Sequence, residues 1–275
     1  MQASFTLTVA ESKRLIAKAV ASLPEVVRAR KEGTLIVGRG STNAYVLEEL
    51  LGEPVEKERY VAGQVVRGVL CALHDDLRSK PVSFHGGRAV DVDPASLIDK
   101  LGPDDVFIKG GNAVDPSGNV GVHMASPVGG TMGQFYMAAK AQGVSTIYPV
   151  GLEKLVPSVE LAARYGGRLA IGRSIGARTG MACVADGEVV TEIEAIDALF
   201  GIGAVHVGSG GYGGSEGAVT LVVEGSDDDV NACLDTIESI KGEPPLPSVK
   251  GPCKTCPLLC SFQGLDDDEL PEYLR

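Results

Sequence analysis

Three glycine-rich turns hold the residues of this chain best suited to grip an anionic small molecule. Gly38-Arg39-Gly40-Ser41-Thr42 closes a β-branched run and opens an apolar segment of helical spacing. A helix N-terminus presents unpaired N–H groups and about half a positive charge. Gly38 and Gly40 permit positive φ and let a phosphate reach the backbone; Ser41 and Thr42 add hydroxyl donors, and Arg39 adds charge. Lys109-Gly110-Gly111-Asn112 ends a second apolar run. Its ammonium could hold a phosphate or polarise a carbonyl, and its amide could bond a sugar hydroxyl. Gly129-Gly130-Thr131 opens another helix, so two donor-rich helix starts would cradle an anion if both face one crevice. Asp115, His85 and His123 are the groups placed to move a proton near neutral pH. Each also has an ordinary reading: "DPSG" around Asp115 is a strong type I turn, and a loop histidine is more often structural.

Near the end, Cys253, Cys256 and Cys260 form C-x2-C-x3-C, a spacing that suits zinc or an iron–sulfur cluster. The fourth ligand would come from elsewhere in the chain, a partner subunit or solvent. The alternatives are a disulfide or redox switch, or no special role at all. Cys71, Cys183 and Cys233 lie singly in apolar stretches and read as buried thiols. Arg168, Arg173 and Arg178 sit among glycines, where they could reach over a ligand or simply be solvated. The glycine-rich "VGSGGYGGSEG" reads as a flexible loop between strands.

The elements that must position these residues alternate. Residues 11–30 read as a helix bent at Pro24, and 34–38 as a buried parallel strand. A helix over 42–51 follows, capped by Ser41 or Thr42. Strands are expected near 60–67 and 69–73, a short helix at 95–102 and a strand at 105–111. A helix at 129–143, a strand at 144–151 and a helix at 158–167 complete a mainly parallel α/β sheet with helices on both faces. After a glycine-arginine connector the order becomes β-α-β-β-α over 180–248, which resembles a ferredoxin-like unit. Residues 249–275 form a Cys-containing tail with an acidic end. The expected division is therefore 1–167, 180–248 and 249–275.

The chain has 275 residues, of which 44% are hydrophobic and 22% charged, enough for one large domain with a smaller module. A formal net charge of −11 argues against nucleic-acid or anionic-membrane partners, so an anionic ligand must be held by local donors. No run of about 18 apolar residues occurs, so no membrane span is expected. The N-terminal residues lack the pattern of a signal peptide, and a cytoplasmic protein is expected.

Residues 11–52, with the Gly-Arg-Gly-Ser-Thr turn, resemble the start of ribose-5-phosphate isomerase type A, where Gly-x-Gly-Ser-Thr holds the substrate phosphate. "VFIKGGNAVDPSGNVGVHMASPVGGTMGQFYMAAKAQGVSTIYPVG" is similar to methylthioribose-1-phosphate isomerase and the initiation-factor 2B subunits. Both belong to the NagB/RpiA/CoA-transferase-like fold. The resemblance, over about residues 10–165, implies a sugar-phosphate ligand, aldose–ketose isomerisation and a homo-oligomer. Asn112 stands where the methylthioribose isomerase has its catalytic aspartate, and "AVDVD" (Asp91, Asp93) only loosely replaces the paired aspartates of the ribose isomerase. An amide takes no proton at neutral pH, so the base would be Asp115 or a histidine. The alternatives are a ligand sensor or assembly protein that kept the fold without the base, and a CoA or acyl transferase.

Overall fold

The computed structural model describes residues 1–91 and 93–275. It opens with strand β1 (Gln2–Leu7), which the sequence reading does not contain. Helices α1 (Val9–Ser22) and α2 (Pro24–Glu32) follow, then strand β2 (Thr34–Val37) and helix α3 (Ser41–Leu51). Strands β3 (Gly63–Val66) and β4 (Val69–Ala72) form a hairpin, as do β5 (Val82–His85) and β6 (Arg88–Val90). Next come β7 (Val106–Ile108), β8 (Ala113–Val114) and β9 (Val120–Met124). A helical stretch over 130–141 has a π-helical segment, Met132–Tyr136, before α4 (Met137–Ala141). Then β10 (Ser145–Pro149), α5 (Val159–Ala163), β11 (Gly180–Val184), β12 (Glu188–Val190) and α6 (Glu192–Phe200) run in order. Strands β13 (Gly203–Gly210) and β14 (Ala218–Glu224) and helix α7 (Asp227–Ile240) precede the tail.

Local chemistry explains the first turns. Thr8 caps α1 through a reciprocal box with Glu11: each side chain accepts the other's backbone N–H. Pro24 at the first position of α2 supplies no N–H to continue α1, so the expected bend becomes a break between two helices.

The main sheet has the order β12-β10-β7-β2-β5-β6. The pairs from β12 to β2 are parallel; β5 and β6 make an antiparallel edge. Val37 lies beside Ile108, and Ile108 beside Ile147. These strands are apolar on both faces because both faces are covered. Leu35, Val37, Val106, Ile108, Ile147 and Val190 pack against residues of α1, α2, α3 and α6. Ile36, Phe107 and Tyr148 point the other way, against Phe135, Tyr136 and the strands of a second sheet, β11-β9-β8. Phe107 and Phe135 meet edge to face, ring centres 4.9 Å apart.

The ferredoxin-like unit expected over 180–248 does not form. Its strands go to three sheets: β11 pairs with β9, β12 with β10, and β13 and β14 with the N-terminal β1. Strand β1 carries the explanation, since six consecutive residues pair with Glu224–Val219 and take the edge of β14 that β11, as the first strand of a ferredoxin-like unit, would have occupied. Helix α7 buries Val230, Cys233, Ile237 and Ile240 in the same core as α1 and α6. The tail packs Cys253, Leu270 and Leu274 on Val69 of the β3–β4 hairpin.

Candidate functional site

Gly38 and Lys109, the first residues beyond β2 and β7, line one cleft of about 1330 Å³. Adjacent parallel strands end together, so whatever follows them meets at one edge of the sheet. Ser41 and Thr42 at the start of α3, and Gly130 and Thr131 at the start of the 130–141 helix, line that same cleft. Arg39, Gly40, Gly110, Gly111, Asn112 and His123 line it too. The structure thus brings together both turns that the sequence singles out as donor cradles.

The roles within the first turn differ from expectation. Neither Gly38 nor Gly40 adopts the left-handed conformation; Gly40 is extended at φ 168°. Gly38 is needed for space: a Cβ there would stand 3.0 Å from the Ile108 carbonyl oxygen and 3.3 Å from the Phe107 ring. The cap of α3 is Gly40, not Ser41 or Thr42, and no side chain caps the helix. Ser41 and Thr42 already have helical backbone, so their hydroxyls cannot fold back onto the first amides. The buried Thr42 hydroxyl has no partner among the described residues. In the second cradle, Gly129 and Gly130 do use positive φ, at 74° and 56°.

Asn43 is a site residue that the sequence reading passed over. It is fully buried, and its Nδ2 donates to the Gly38 carbonyl at 2.7 Å and, weakly, to that of Ile108 at 3.4 Å. It thereby ties the ends of β2 and β7 together beneath the cleft. Its position in the first turn of an amphipathic helix gave no sign of this, because the partner carbonyl of Ile108 lies 65 residues away.

Three lysines define the electrostatics. Among the described residues, Lys109 donates only to its neighbour's carbonyl, Gly110, at 3.1 Å. Burial, with the positive charge of Lys154 beside it, brings its pKa down to about 8. Lys13 of α1 lines the cleft as well; burial and Lys154 bring it to about 8, against a partial offset from Glu153. Lys154 completes the group on the cleft wall. Neither Lys13 nor Lys154 is legible in the sequence, since one reads as a helix-surface lysine and the other as a loop lysine. Arg39 is anchored by donating to the Ser79 carbonyl (3.0 Å), and Arg168 by donating to that of Ala125 (3.1 Å). Both line the cleft. Glu153, 3.7 Å from Lys154, offsets this group in part, and a bound anion would relieve the repulsion that remains.

Two expected proton carriers are not there. Asp115 is buried and lies outside the cleft lining. Its Oδ1 accepts from the Ser117 and Asn119 amides (3.0 Å each), and its Oδ2 from Asn119 Nδ2 (3.1 Å) and the Val159 amide (2.8 Å). Burial alone would raise its pKa, but these four donors hold it below the usual carboxylate range. The Asp-Pro-Ser-Gly turn consumed the carboxylate, and the catalytic role read for it is withdrawn. His85 also lies outside the cleft: it pairs with Thr34 at the opposite end of β2, with Nδ1 3.1 Å from the Thr34 hydroxyl. His123 remains. Its Nδ1 is 3.1 Å from the Thr179 hydroxyl, and its backbone N–H donates to Asn112 Oδ1 at 3.0 Å. Burial holds its imidazole below the ordinary histidine value.

A pair of carboxylates beyond β10 also escaped the sequence reading. Glu192, the first residue of α6, is fully buried and accepts the Leu152 amide at 2.9 Å. Glu153 and Glu192 crowd Gly151, where a Cβ would lie 1.9 Å from Glu153 Oε2 and 3.2 Å from Glu192 Oε1. Burial, then the charge of Glu153, pushes Glu192 up to about 7. A carboxyl with a raised folded pKa stabilises the fold below its unfolded value and loses that contribution as pH rises through about 7. Glu192→Gln keeps an acceptor for Leu152 and removes the titration. We expect the wild type to lose about 2–3 kcal/mol relative to this variant between pH 4.5 and 8, read from urea denaturation at each pH. Equal slopes for the two proteins would refute the assignment.

The tail cysteines do not close on one point: among the described residues, no three His, Cys, Asp or Glu are arranged to hold a single metal ion. Cys233 is buried as expected, but Cys183 is exposed, because β11 leaves one face uncovered, and Cys71 lies half-buried against the tail. No helix among the described residues is long and apolar enough to cross a membrane. Comparison with protein-family models, with curated proteins and with solved structures finds no match, so the cleft itself is what speaks for function.

Proposed function

We propose that this cleft binds a phosphorylated or otherwise anionic small molecule, one end on the α3 turn and the other near Thr131. The observation that carries the reading is the convergence of two helix starts and the cations Lys13, Lys109, Lys154, Arg39 and Arg168 on one cleft in a chain of net charge −11. Uncapped amides at the start of α3 supply directional donors. Support for a NagB/RpiA/CoA-transferase-like fold is the placement of both quoted turns at the carboxyl ends of neighbouring parallel strands.

Binding without turnover, as in a ligand sensor, is the reading favoured by the sealed Asp115. Aldose–ketose isomerisation is the second reading, and one observation favours it: His123 and a lysine of pKa about 8, Lys109, share the cleft. There Lys109 and Asn112 would stabilise an enolate oxygen while His123 moves the proton.

A thermal-shift screen of inorganic phosphate, pentose phosphates and acyl-CoAs tests both. A ligand at a hundred times its Kd should stabilise the chain by about 2.7 kcal/mol. An Arg39→Ala, Thr42→Val double variant should lose most of that shift. Equal shifts in both proteins, or none with any phosphorylated compound, would sink the proposal. A sugar phosphate that binds but takes up no deuterium from D2O at its carbon-bound position would leave binding intact and remove the isomerase reading.

A further inference from the structure

The tail has three cysteines, and the structure brings a fourth to them. Cys71, on β4, lines the same small apolar cavity as Cys253, Cys256 and Cys260, although 182 residues separate it from the first of these. The approach is built rather than incidental. Cys71 and Cys253 belong to one apolar cluster with Val69, Leu270 and Leu274. The tail is stitched on by the Arg178 amide to the Leu259 carbonyl (2.9 Å) and the Ser261 amide to that of Ser174 (3.2 Å). The connector is stitched to β4 by the Ala177 amide on the Leu70 carbonyl (2.7 Å).

We propose that Cys71, Cys253, Cys256 and Cys260 are the ligands of a [4Fe–4S] cluster that pins the tail to the β3–β4 hairpin. Four thiolates around one zinc would stand about 2.3 Å from a common centre. These sulfurs instead surround a cavity, and no three of them meet the geometry of a single-ion site. A cube of iron and sulfide holds its four cysteine ligands apart on its irons, so cysteines that line one cavity without meeting at a point suit it.

The surroundings suit that occupant. All four cysteines are free thiols. The cavity wall includes Lys250 and His74 and no carboxylate. Loading exchanges four thiol protons for four Fe–S(Cys) bonds; two ferric and two ferrous ions with four sulfides and four thiolates give a net charge of about −2, which Lys250 partly offsets. The Phe262 amide points at Cys260 Sγ from 3.4 Å, and such N–H···S bonds steady thiolate ligands. Leu70, Cys71, Ala72, Ala177 and Leu258 line both this cavity and the large cleft. The cluster would therefore sit directly behind one wall of the cleft. The proposal stands on these cysteines alone and holds whatever the cleft binds.

The test is anaerobic reconstitution of the full chain with equal iron(II) and iron(III) and with sulfide, beside a parallel sample given zinc alone. The wild type should take up about four irons and four sulfides per chain, with the brown charge-transfer absorbance of a cluster. Cys183→Ser, on an exposed thiol away from the cavity, should load like the wild type. Cys71→Ser should lose at least half of the iron. A wild type that gains no iron–sulfide absorbance, or that takes one zinc in a stable four-thiolate site in preference to iron, overturns the cluster. A folded Cys71→Ser that loads fully overturns the fourth ligand. Should Cys71→Ser fail to fold, alkylation of the loaded wild type decides. Protection of Cys71 together with the three tail cysteines upholds the assignment, and labelling of Cys71 while those three stay protected refutes it.

Discussion

Replacing Lys109 with methionine should weaken binding of a phosphorylated ligand by about 10- to 100-fold at pH 7, the loss of one charged hydrogen bond in a partly buried site. The stem of Lys109 packs close to Gly38, and methionine keeps most of that contact while removing the charge. The pH dependence is the sharper test. Lys109 and Lys13 each lose a proton near pH 8, and a bound anion raises both values, so binding takes up protons above that pH. Affinity should be nearly level from about pH 6.5 to 7.5 and then fall by up to about tenfold per pH unit for each lysine. Lys109→Met should remove one of these two contributions and leave the other to Lys13. Titration calorimetry between pH 6.5 and 9.5 in buffers of differing ionisation enthalpy reads both the affinity and the proton uptake. An affinity that is flat across this range in the wild type would rule out the lysines as the anion's partners.

The second large effect concerns the fold. Arg14 of α1 joins three acidic side chains from two other segments: Nη1 to Glu49 at 2.7 Å, Nε to Glu243 at 3.0 Å, and Nη2 to Glu48. Its guanidinium lies 4.8 Å from the centre of the Tyr45 ring, and its side chain is only 12% exposed. Arg14→Met should cost about 3 kcal/mol at pH 7, because three carboxylates then crowd one site with only Lys57 and Lys18 to offset them. Arg14→Lys should recover little, since an ammonium cannot serve three acceptors in the plane of the fork. The cost should shrink in acid. Glu48 is raised by burial but pulled below its ordinary value by Lys57 and Arg14, so its contribution is present above the usual carboxylate pKa and fades as pH falls through its lowered one. Urea denaturation at pH 7 and pH 3.5 measures the difference. A loss under about 0.5 kcal/mol at pH 7 would show that solvent already screens these charges.

Both effects depend on residues whose partners are remote in the chain, and this separates what was legible from what was not. The turns at Gly38–Thr42 and Lys109–Asn112 were legible because each joins an apolar run to a glycine pair, a strictly local pattern. Asp115 was misread for the same reason. A carboxylate in a turn motif looks free in sequence, and only the fold supplies the Val159 amide that completes its four hydrogen bonds. The ferredoxin-like unit failed on a local pattern too. The order β-α-β-β-α missed β12, and strand pairing is chosen by available edges, of which β1 offered one from the other end of the chain.

The sequence by itself determined the alternation of strands and helices, the glycine turns after β2 and β7, an interruption at Pro24 and the close-set tail cysteines. Each rests on backbone preference or on side-chain periodicity within a dozen residues. Tertiary structure alone decided that both helix starts face one cleft, that Lys13 and Lys154 join Lys109 there, and that Cys71 meets the tail. Those are matters of which sheet edge lies beside which, and of which charges lose their water. They follow from packing the whole chain into one core, where residues far apart in sequence become neighbours and the low dielectric makes their charges count.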